Sequence, residues 1–187
     1  MHIHQLQASY QQEQDRILLR LNTRTGEEFR LWLTRRMTLV VLPHLTQMSQ
    51  RMGSTSADAV SHDGAQAGDL AHFKQQESLA QADFQTPYSD TTQLPAGDAP
   101  LLVTQVRFTQ VGNGTLRLAF DEKLADVEPT RSFEVTLGLS IVHALLHLME
   151  QVLKAADWAI AAAPAPSKPD TTALDAFASA ERPVFLN

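Results

Sequence analysis

Apolar and polar residues alternate along several segments of this chain, and two longer segments follow a helical period. Two alternating segments lie between residues 16 and 34. Their apolar members are Ile17, Leu19, Leu21, Phe29, Leu31 and Leu33. A period of two predicts strands with one buried face, and Gly26 between them supplies the positive φ that a tight hairpin turn needs. Residues 35–52 show helical spacing around Pro43, which either kinks the helix or separates two helical segments.

The same order of patterns recurs in the second half of the chain. Its alternating segments are residues 101–111, 115–123 and 132–137. A turn of Gly112, Asn113 and Gly114 separates the first two and is typical of a hairpin. A wide apolar stripe then runs from residue 138 to residue 158, as expected of a helix that packs on a sheet, and it should bury Leu145 and Leu148.

We therefore predict an α+β fold with antiparallel sheets from two β-β-β-α halves, on which two long helices pack. The repeated order fits an internal duplication, but it also fits two unrelated hairpin-and-helix units. The predicted divisions are residues 1–52 (first half), 53–100 (linker with a weak helix at 69–84), 101–160 (second half) and 161–187 (flexible tail). Small, polar and proline-rich composition predicts mobility in residues 53–68 and 161–170.

Composition favours a globular protein of one ordinary domain or two small ones. The chain has 187 residues, 43% of them apolar, and contains no cysteine. Disulfides, thiolate nucleophiles and cysteine-based metal sites are therefore excluded. No signal-peptide pattern begins the sequence, and no apolar run reaches the ~20 residues of a membrane-spanning helix. We expect a cytoplasmic protein that does not associate with membranes.

Charge is distributed unevenly along the chain. The net charge is −6, yet residues 1–52 hold seven arginines against four acidic residues, a balance of +3. The remainder holds eight basic and seventeen acidic residues, a balance of −9. All basic residues in the first part are arginines, which pair bidentately with carboxylates and phosphates and stack on aromatic rings.

The outward side of the predicted first hairpin combines arginines with a tryptophan. Both residue types are enriched at the energetically important positions of protein interfaces. Two further arginines follow at the start of the predicted helix, and an apolar pair stands near the end of the chain. The predicted partner-binding residues are Arg16, Arg20, Arg30, Trp32, Arg35, Arg36, Phe185 and Leu186. The alternatives are an ordinary solvated surface or a second layer that makes Trp32 part of the core.

Histidines provide the one pattern that suggests chemistry. His143 and His147 are four residues apart on the predicted helix, and His2 and His4 alternate on a predicted strand. Two such pairs are compatible with zinc, but Glu150 does not lie between the helical histidines as the HExxH motif requires. A solvated or hydrogen-bonded polar helix face is the favoured explanation, because spacing alone is a weak signal for a metal site. No nucleophile elbow, P-loop or dinucleotide loop is present, so we predict no catalytic residue, no metal and no cofactor.

These features predict a non-catalytic cytoplasmic interaction or adaptor protein within a larger assembly or a homo-oligomer. Its partner is a protein or a second copy of the chain. The alternative is a nucleic-acid-binding module that uses the arginine-rich first hairpin, although the net negative charge makes nucleic acid an unfavourable partner. A further alternative is a metal-dependent enzyme built on the histidines.

Overall fold

The structure of the chain is a computed structural model, which describes residues 2–55, 64–90, 93–112, 114–125 and 130–158. Within these ranges the chain forms seven strands and three α-helices. They follow one another in the order β1 Ile3–Gln11, β2 Arg16–Thr23, β3 Glu28–Thr34, α1 Arg35–Thr55, α2 Gly64–Gln81, β4 Leu101–Leu102, β5 Gln105–Val111, β6 Thr115–Glu122, β7 Arg131–Gly138 and α3 Leu139–Ala155. A short 3-10 turn at Gln12–Gln14 connects β1 to β2.

The strands form two sheets, which we call the first sheet and the second sheet. The first sheet has the strand order β1-β2-β3-β4, and the second has the order β5-β6-β7. Neighbouring strands are antiparallel, except that β4 runs parallel to β3. The predicted α+β class with antiparallel sheets is therefore confirmed. Besides the two long helices predicted to pack on the sheets, the described residues contain a third helix of similar length, α2, where only a weak helix was predicted.

The local sequence explains where the two tight hairpins turn. Between β2 and β3, Gly26 has a φ of 83°, and the backbone N–H of Glu27 donates to Thr23 Oγ1 at 3.1 Å. Between β5 and β6, Gly114 has a φ of 67°. Glycine reaches this left-handed region without the steric cost of a β-carbon, so each turn forms where the sequence supplies a glycine.

One segment of the chain serves both sheets. Residues 101–111, predicted as a single strand, divide into β4 of the first sheet and β5 of the second. The N–H of Val103 donates to the carbonyl of Trp32 at 3.0 Å, whereas the N–H of Thr104 donates to the carbonyl of Asp121 at 3.0 Å. The single-strand prediction is therefore wrong. The core-facing positions change from Leu101 and Val103 to Val106 and Phe108 where the chain changes sheets.

Both sheets turn their apolar faces towards a common core that also contains one side of α1 and of α3. The least exposed leucine and isoleucine side chains of the strands are Ile17, Leu19, Leu21, Leu31, Leu33, Leu101, Leu116, Leu118 and Leu137. The rings of Phe29 and Phe133 stack with their centroids 4.1 Å apart and join the two sheets directly. On α3, Leu145 is buried as predicted, whereas Leu148 is partly exposed.

The helices differ from the sequence-based expectation in their extents. α1 continues through Pro43 as one helix. α2 spans Gly64–Gln81 rather than residues 69–84, so both ends of residues 53–68, the segment predicted to be mobile, are helical. The predicted tail at 161–187 lies outside the described residues. In the described part of the chain, none of the helices has the length and apolar content needed to cross a membrane.

Candidate interaction surface on the first sheet

The side chains of the first sheet that point away from the core form its outer face. The strand register arranges them in four rows across the sheet. The rows are Gln5, Asn22 and Glu28; Gln7, Arg20 and Arg30; Ser9, Leu18, Trp32 and Leu102; and Gln11, Arg16 and Thr34. Directly paired residues of neighbouring strands point to the same side of a sheet. The sheet therefore brings Arg16, Arg20, Arg30 and Trp32 together on one face.

Glu28 is the centre of a charge cluster on this face. Its side chain is 0% exposed, and its Oε1 atom accepts hydrogen bonds from Arg20 Nε at 2.8 Å and from Arg30 Nε at 2.7 Å. Removing a charged group from water costs several kcal/mol unless an opposite charge and hydrogen bonds replace the lost water. The carboxylate and the two guanidiniums therefore depend on one another.

Residues 87–90, which we call the strap, cross the outer face beside this cluster. Gln5 Nε2 donates to the carbonyl of Pro87 at 3.2 Å, and Asn22 Nδ2 donates to the carbonyl of Ser89 at 3.1 Å. The N–H of Ser89 donates back to Gln5 Oε1 at 3.0 Å. Side chains of the sheet thus supply the hydrogen bonds that an irregular segment needs when it is held against a protein surface.

Arg20 joins the strap to the charge cluster. Its guanidinium forms an ion pair with Asp90, lies 4.4 Å from the centroid of the Tyr88 ring, and donates to Gln7 Oε1 at 3.0 Å. Burial by itself lowers the pKa of Arg20, but hydrogen bonds to Glu28 and Asp90 raise that pKa above its ordinary value. The guanidinium stays charged and binds one carboxylate from the sheet and one from the strap.

The chain after the strap occupies part of the edge of β3. The N–H of Glu28 donates to the carbonyl of Gln93 at 2.8 Å, and Glu27 forms an isolated parallel bridge with Gln93. Further along the same edge, Leu31 and Trp32 pair with β4. Later parts of the chain therefore cover β3 in two places.

Several residues predicted to contact a partner are engaged within the chain instead of being free on the surface. The side chains of Arg20 and Arg30 are only 16% and 28% exposed, and both bind Glu28. Trp32 is partly exposed, so it is neither a core residue nor a fully open surface residue. Phe185 and Leu186 lie outside the described residues.

A second part of the outer face forms no hydrogen bond, ion pair or ring contact with the strap within the described ranges. We call its apolar members Leu18, Trp32 and Leu102 the open row. All three are partly exposed and lie side by side, because Leu18 pairs with Trp32 and Trp32 pairs with Leu102. The open row therefore combines an indole ring with two aliphatic side chains on three neighbouring strands.

Three arginines lie beyond the open row, at one end of β2 and β3. Arg16 belongs to the neighbouring row of the outer face, and Arg35 and Arg36 follow β3 in the first turn of α1. None of the three forms an ion pair with an acidic side chain of the described residues. A cation in the first turn of a helix is unfavourable by about 0.3–1 kcal/mol, and no acidic residue of that turn compensates. The surface therefore carries positive charge that the described part of the chain leaves unpaired.

The strap is the part of this surface that the sequence pattern does not predict. Residues 85–100 contain three prolines and indicate only a loop. Tyr88 is partly buried. This burial and, to a smaller extent, the negative charge of Glu28 raise the pKa of the Tyr88 hydroxyl. An aromatic residue within a polar segment is the one available signal, and by itself it does not identify a docking position.

The histidines of α3 do not form the predicted solvated stripe. His143 is buried, its Nδ1 atom has no hydrogen-bond partner among the described residues, and burial lowers its pKa. His147 is partly exposed, with its Nε2 atom 2.8 Å from Gln151 Nε2 and its ring centroid 5.0 Å from that of Phe84. The stripe prediction is therefore wrong for His143. Across the described ranges, no group of three or more histidine or acidic side chains is placed to hold a metal ion.

Comparison with known proteins gives no match for this chain. No protein-family model, no curated protein and no solved structure is similar to it.

Proposed function

We propose that this protein is a non-catalytic interaction or adaptor protein of the cytoplasm, which works within a larger assembly or a homo-oligomer. The observation that carries the proposal is the open row beside three unpaired arginines. Leu18, Trp32 and Leu102 offer apolar surface, and Arg16 and the arginines of α1 offer positive charge. The partner that fits this surface is a protein with an apolar patch bordered by carboxylates.

The residue types on this surface support a protein partner. Tryptophan and arginine dominate the binding energy of many interfaces, because each combines a large apolar area with directed polar contacts. An acidic partner would also relieve the two cations at the start of α1, where they oppose the helix dipole. Association would therefore remove an unfavourable feature of the free protein as well as bury apolar area.

The strap supports the chemistry of this partner. On the same face, the chain places the Asp90 carboxylate on Arg20 and the Tyr88 ring against the same guanidinium. Cation–π contacts of this kind contribute about 0.5–2 kcal/mol, depending on how much water they exclude. The outer face thus already binds one acidic and aromatic segment, and the open row offers related chemistry to another molecule.

Nucleic acid is a less suitable partner for this surface. Glu28 and Asp90 neutralise Arg20, and Glu28 also binds Arg30. Backbone binding of nucleic acid depends on unpaired positive charge, and the whole chain has a net charge of −6.

We also propose that the two halves arose by duplication. In each half three antiparallel strands lead into a helix without an intervening loop, since α1 follows β3 directly and α3 follows β7 directly. A duplicated unit commonly retains a shared core and diverges in its exposed surfaces.

The test is partner capture with the tagged full-length protein in cells of its native host. Arg36→Glu and Trp32→Ala should each weaken recovery of the associated protein by about tenfold or more, a loss of about 1.4 kcal/mol. Arg24→Glu is the matched control, because Arg24 is exposed and changes the net charge equally but lies in the β2–β3 turn. Circular dichroism would establish that each variant is folded.

Equal recovery with all three variants would exclude the open row as the binding surface. Retention on single-stranded DNA or RNA that weakens with salt and is lost in Arg36→Glu would instead favour the nucleic-acid alternative.

A further inference from the structure

The two sheets end in strands whose outer edges have no neighbouring strand in the described residues. These edge strands are β1 and β4 in the first sheet and β5 and β7 in the second. Along Ile3–Gln11, no backbone hydrogen bond joins the free edge of β1 to another described segment. Such an edge presents unpaired N–H and C=O groups that can add a further strand.

Folded proteins usually protect a free edge with charge, proline or shortness, and three of these four edges follow that rule. β4 has two residues, β5 carries the exposed Arg107, and β7 carries the exposed Glu134. β1 is nine residues long and contains no Asp, Glu, Lys, Arg or Pro. A bulge between Ile3 and Gln5 interrupts only its beginning.

The core-facing side of β1 is incompletely covered. Leu6 and Ala8 are partly exposed, whereas their partners Leu21 and Leu19 on β2 are 1% and 2% exposed. The difference arises because β1 has a neighbouring strand on one side only. A further strand with apolar residues at alternating positions would cover these side chains and satisfy the free backbone groups together.

We propose that the free edge of β1 pairs with the β1 edge of a second copy of this chain. The two strands run antiparallel about a two-fold axis at Gln7, so that the first sheets of two molecules form one continuous sheet. This inference goes beyond the proposed function, because it names a second copy as the partner and uses an edge that does not include the open row.

The sequence of β1 is complementary to itself in this register. An axis at Gln7 places Leu6 opposite Ala8 of the second copy, and Gln5 opposite Ser9. Apolar residues then meet on the core side and polar residues meet on the outer side, whereas an axis between two residues would invert one of the faces. A glutamine amide carries both a donor and an acceptor, so Gln7 can bond to its own copy, and no like charges approach one another.

The absence of cysteine from the chain makes this register directly testable. A single Gln7→Cys substitution should form a disulfide-linked dimer under mild oxidation, because residues opposite each other at the axis have the short Cα separation that a disulfide needs. Ser9→Cys should crosslink far more slowly, since that residue would face Gln5. Thr109→Cys on the β5 edge is the matched control and should remain monomeric.

Association of the unmodified chain should be measured at the same time. Light scattering should give the mass of a dimer at about 100 µM protein, and Ser9→Lys should weaken the dimer by about tenfold or more, since lysine blocks edge pairing. Thr109→Lys adds the same charge to β5 and should leave the dimer intact. Circular dichroism would confirm that both variants keep their strands.

A monomer at that concentration would overturn the proposal, and protected β1 amides in such a monomer would place a segment of the same chain on the edge. A dimer that Ser9→Lys leaves unchanged, or equal crosslinking at Gln7 and Thr109, would also overturn it. A finding that the open row binds no partner would be a separate result, because Arg36→Glu does not alter the β1 edge.

Discussion

The first and second sheets present the same alternation to the core but differ on the faces that point away from it. On the second sheet, Arg117 and Glu134 approach to 3.5 Å with side chains that are 46% and 57% exposed. On the first sheet, Glu28 binds two arginines with its side chain completely buried, and the strap lies beside it. The Arg117–Glu134 pair is solvated, whereas the Glu28 cluster lies partly in an interior.

This difference shows that two ion pairs between the same residue types contribute differently to the free energy of folding when their burial differs. An exposed ion pair exchanges good hydration for a weak attraction and contributes about 0–1 kcal/mol. A buried carboxylate has lost its hydration, so its partners become a condition of folding rather than an addition to it. The Glu28 cluster is therefore a condition of folding for the first sheet, whereas the exposed Arg117–Glu134 pair is not one for the second sheet.

The largest expected effect comes from removing the buried carboxylate charge. Glu28→Gln keeps the size of the side chain but leaves Arg20 and Arg30 to share a neutral oxygen. We expect a loss of about 3–5 kcal/mol in the free energy of unfolding, the usual consequence of breaking a buried ion pair on one side. Urea unfolding followed by circular dichroism measures this change.

Glu134→Gln on the second sheet is the matched comparison. It should lower the free energy of unfolding by about 1 kcal/mol or less, because Glu134 and Arg117 are both well hydrated. Similar losses in the two variants would mean that the two outer faces do not differ in the way their burial indicates.

The stability of the protein should also depend on pH through His143, which lies on α3. Its pKa is lowered in the folded protein by burial, from an ordinary value of 6.5 in the unfolded chain. Below pH 6.5 the unfolded state therefore binds a proton that the folded state does not, and stability should fall as the pH falls. Urea unfolding at about pH 7.5 and about pH 5.5 brackets this titration.

His143→Leu should reduce this pH dependence, whereas His147→Gln should retain it, because His147 is partly exposed. Glu122 titrates in a separate window. The hydrogen bond from Arg131 lowers its pKa below 4.5, so its contribution is present above that pH and is lost under more acidic conditions. An unchanged profile in His143→Leu would assign the dependence to another group.

The smallest expected effect concerns the strap. The hydroxyl of Tyr88 is buried and has no hydrogen-bond partner among the described residues. Tyr88→Phe removes that group and keeps the ring against Arg20, so the free energy of unfolding should stay equal or rise by up to about 1 kcal/mol. Tyr10→Phe is the opposite control, because the Tyr10 hydroxyl donates to Asp15 Oδ1 at 2.9 Å. Its removal should lower the free energy of unfolding by about 0.5–1.5 kcal/mol. A clear loss in Tyr88→Phe would mean that water or another group satisfies the hydroxyl.

The predictable parts of this fold are those in which buried and exposed positions alternate along the local sequence. Alternation identified the inward residues of β2 and β3, and the same register assigned Arg20 and Trp32 to the opposite face. The pattern carries no information about what lies on that opposite face. The strap binds it through single side chains and carbonyls that are distant in sequence, such as Asn22 and Ser89.

The division of residues 101–111 illustrates a second limit. Three consecutive apolar residues, 101–103, precede the alternation of Val106 and Phe108, and a local pattern does not show which neighbouring strand supplies the hydrogen bonds. The pattern on α3 failed at His143 for a related reason, since a polar residue type suggested solvent where packing placed it inside. In both cases the deciding contacts come from another part of the chain.

The order in which the chain is synthesised gives the crossing between the sheets a biological consequence. The strap, β4 and the whole second sheet are encoded after α2, yet Asn22 and Leu31 need them as partners. A nascent chain that has released only β1, β2, β3 and α1 therefore exposes one unfinished sheet edge and an uncovered group of charged side chains. The β3 edge of the first half can therefore be completed only after residue 102 has left the ribosome, and until then it is open to pairing with other chains.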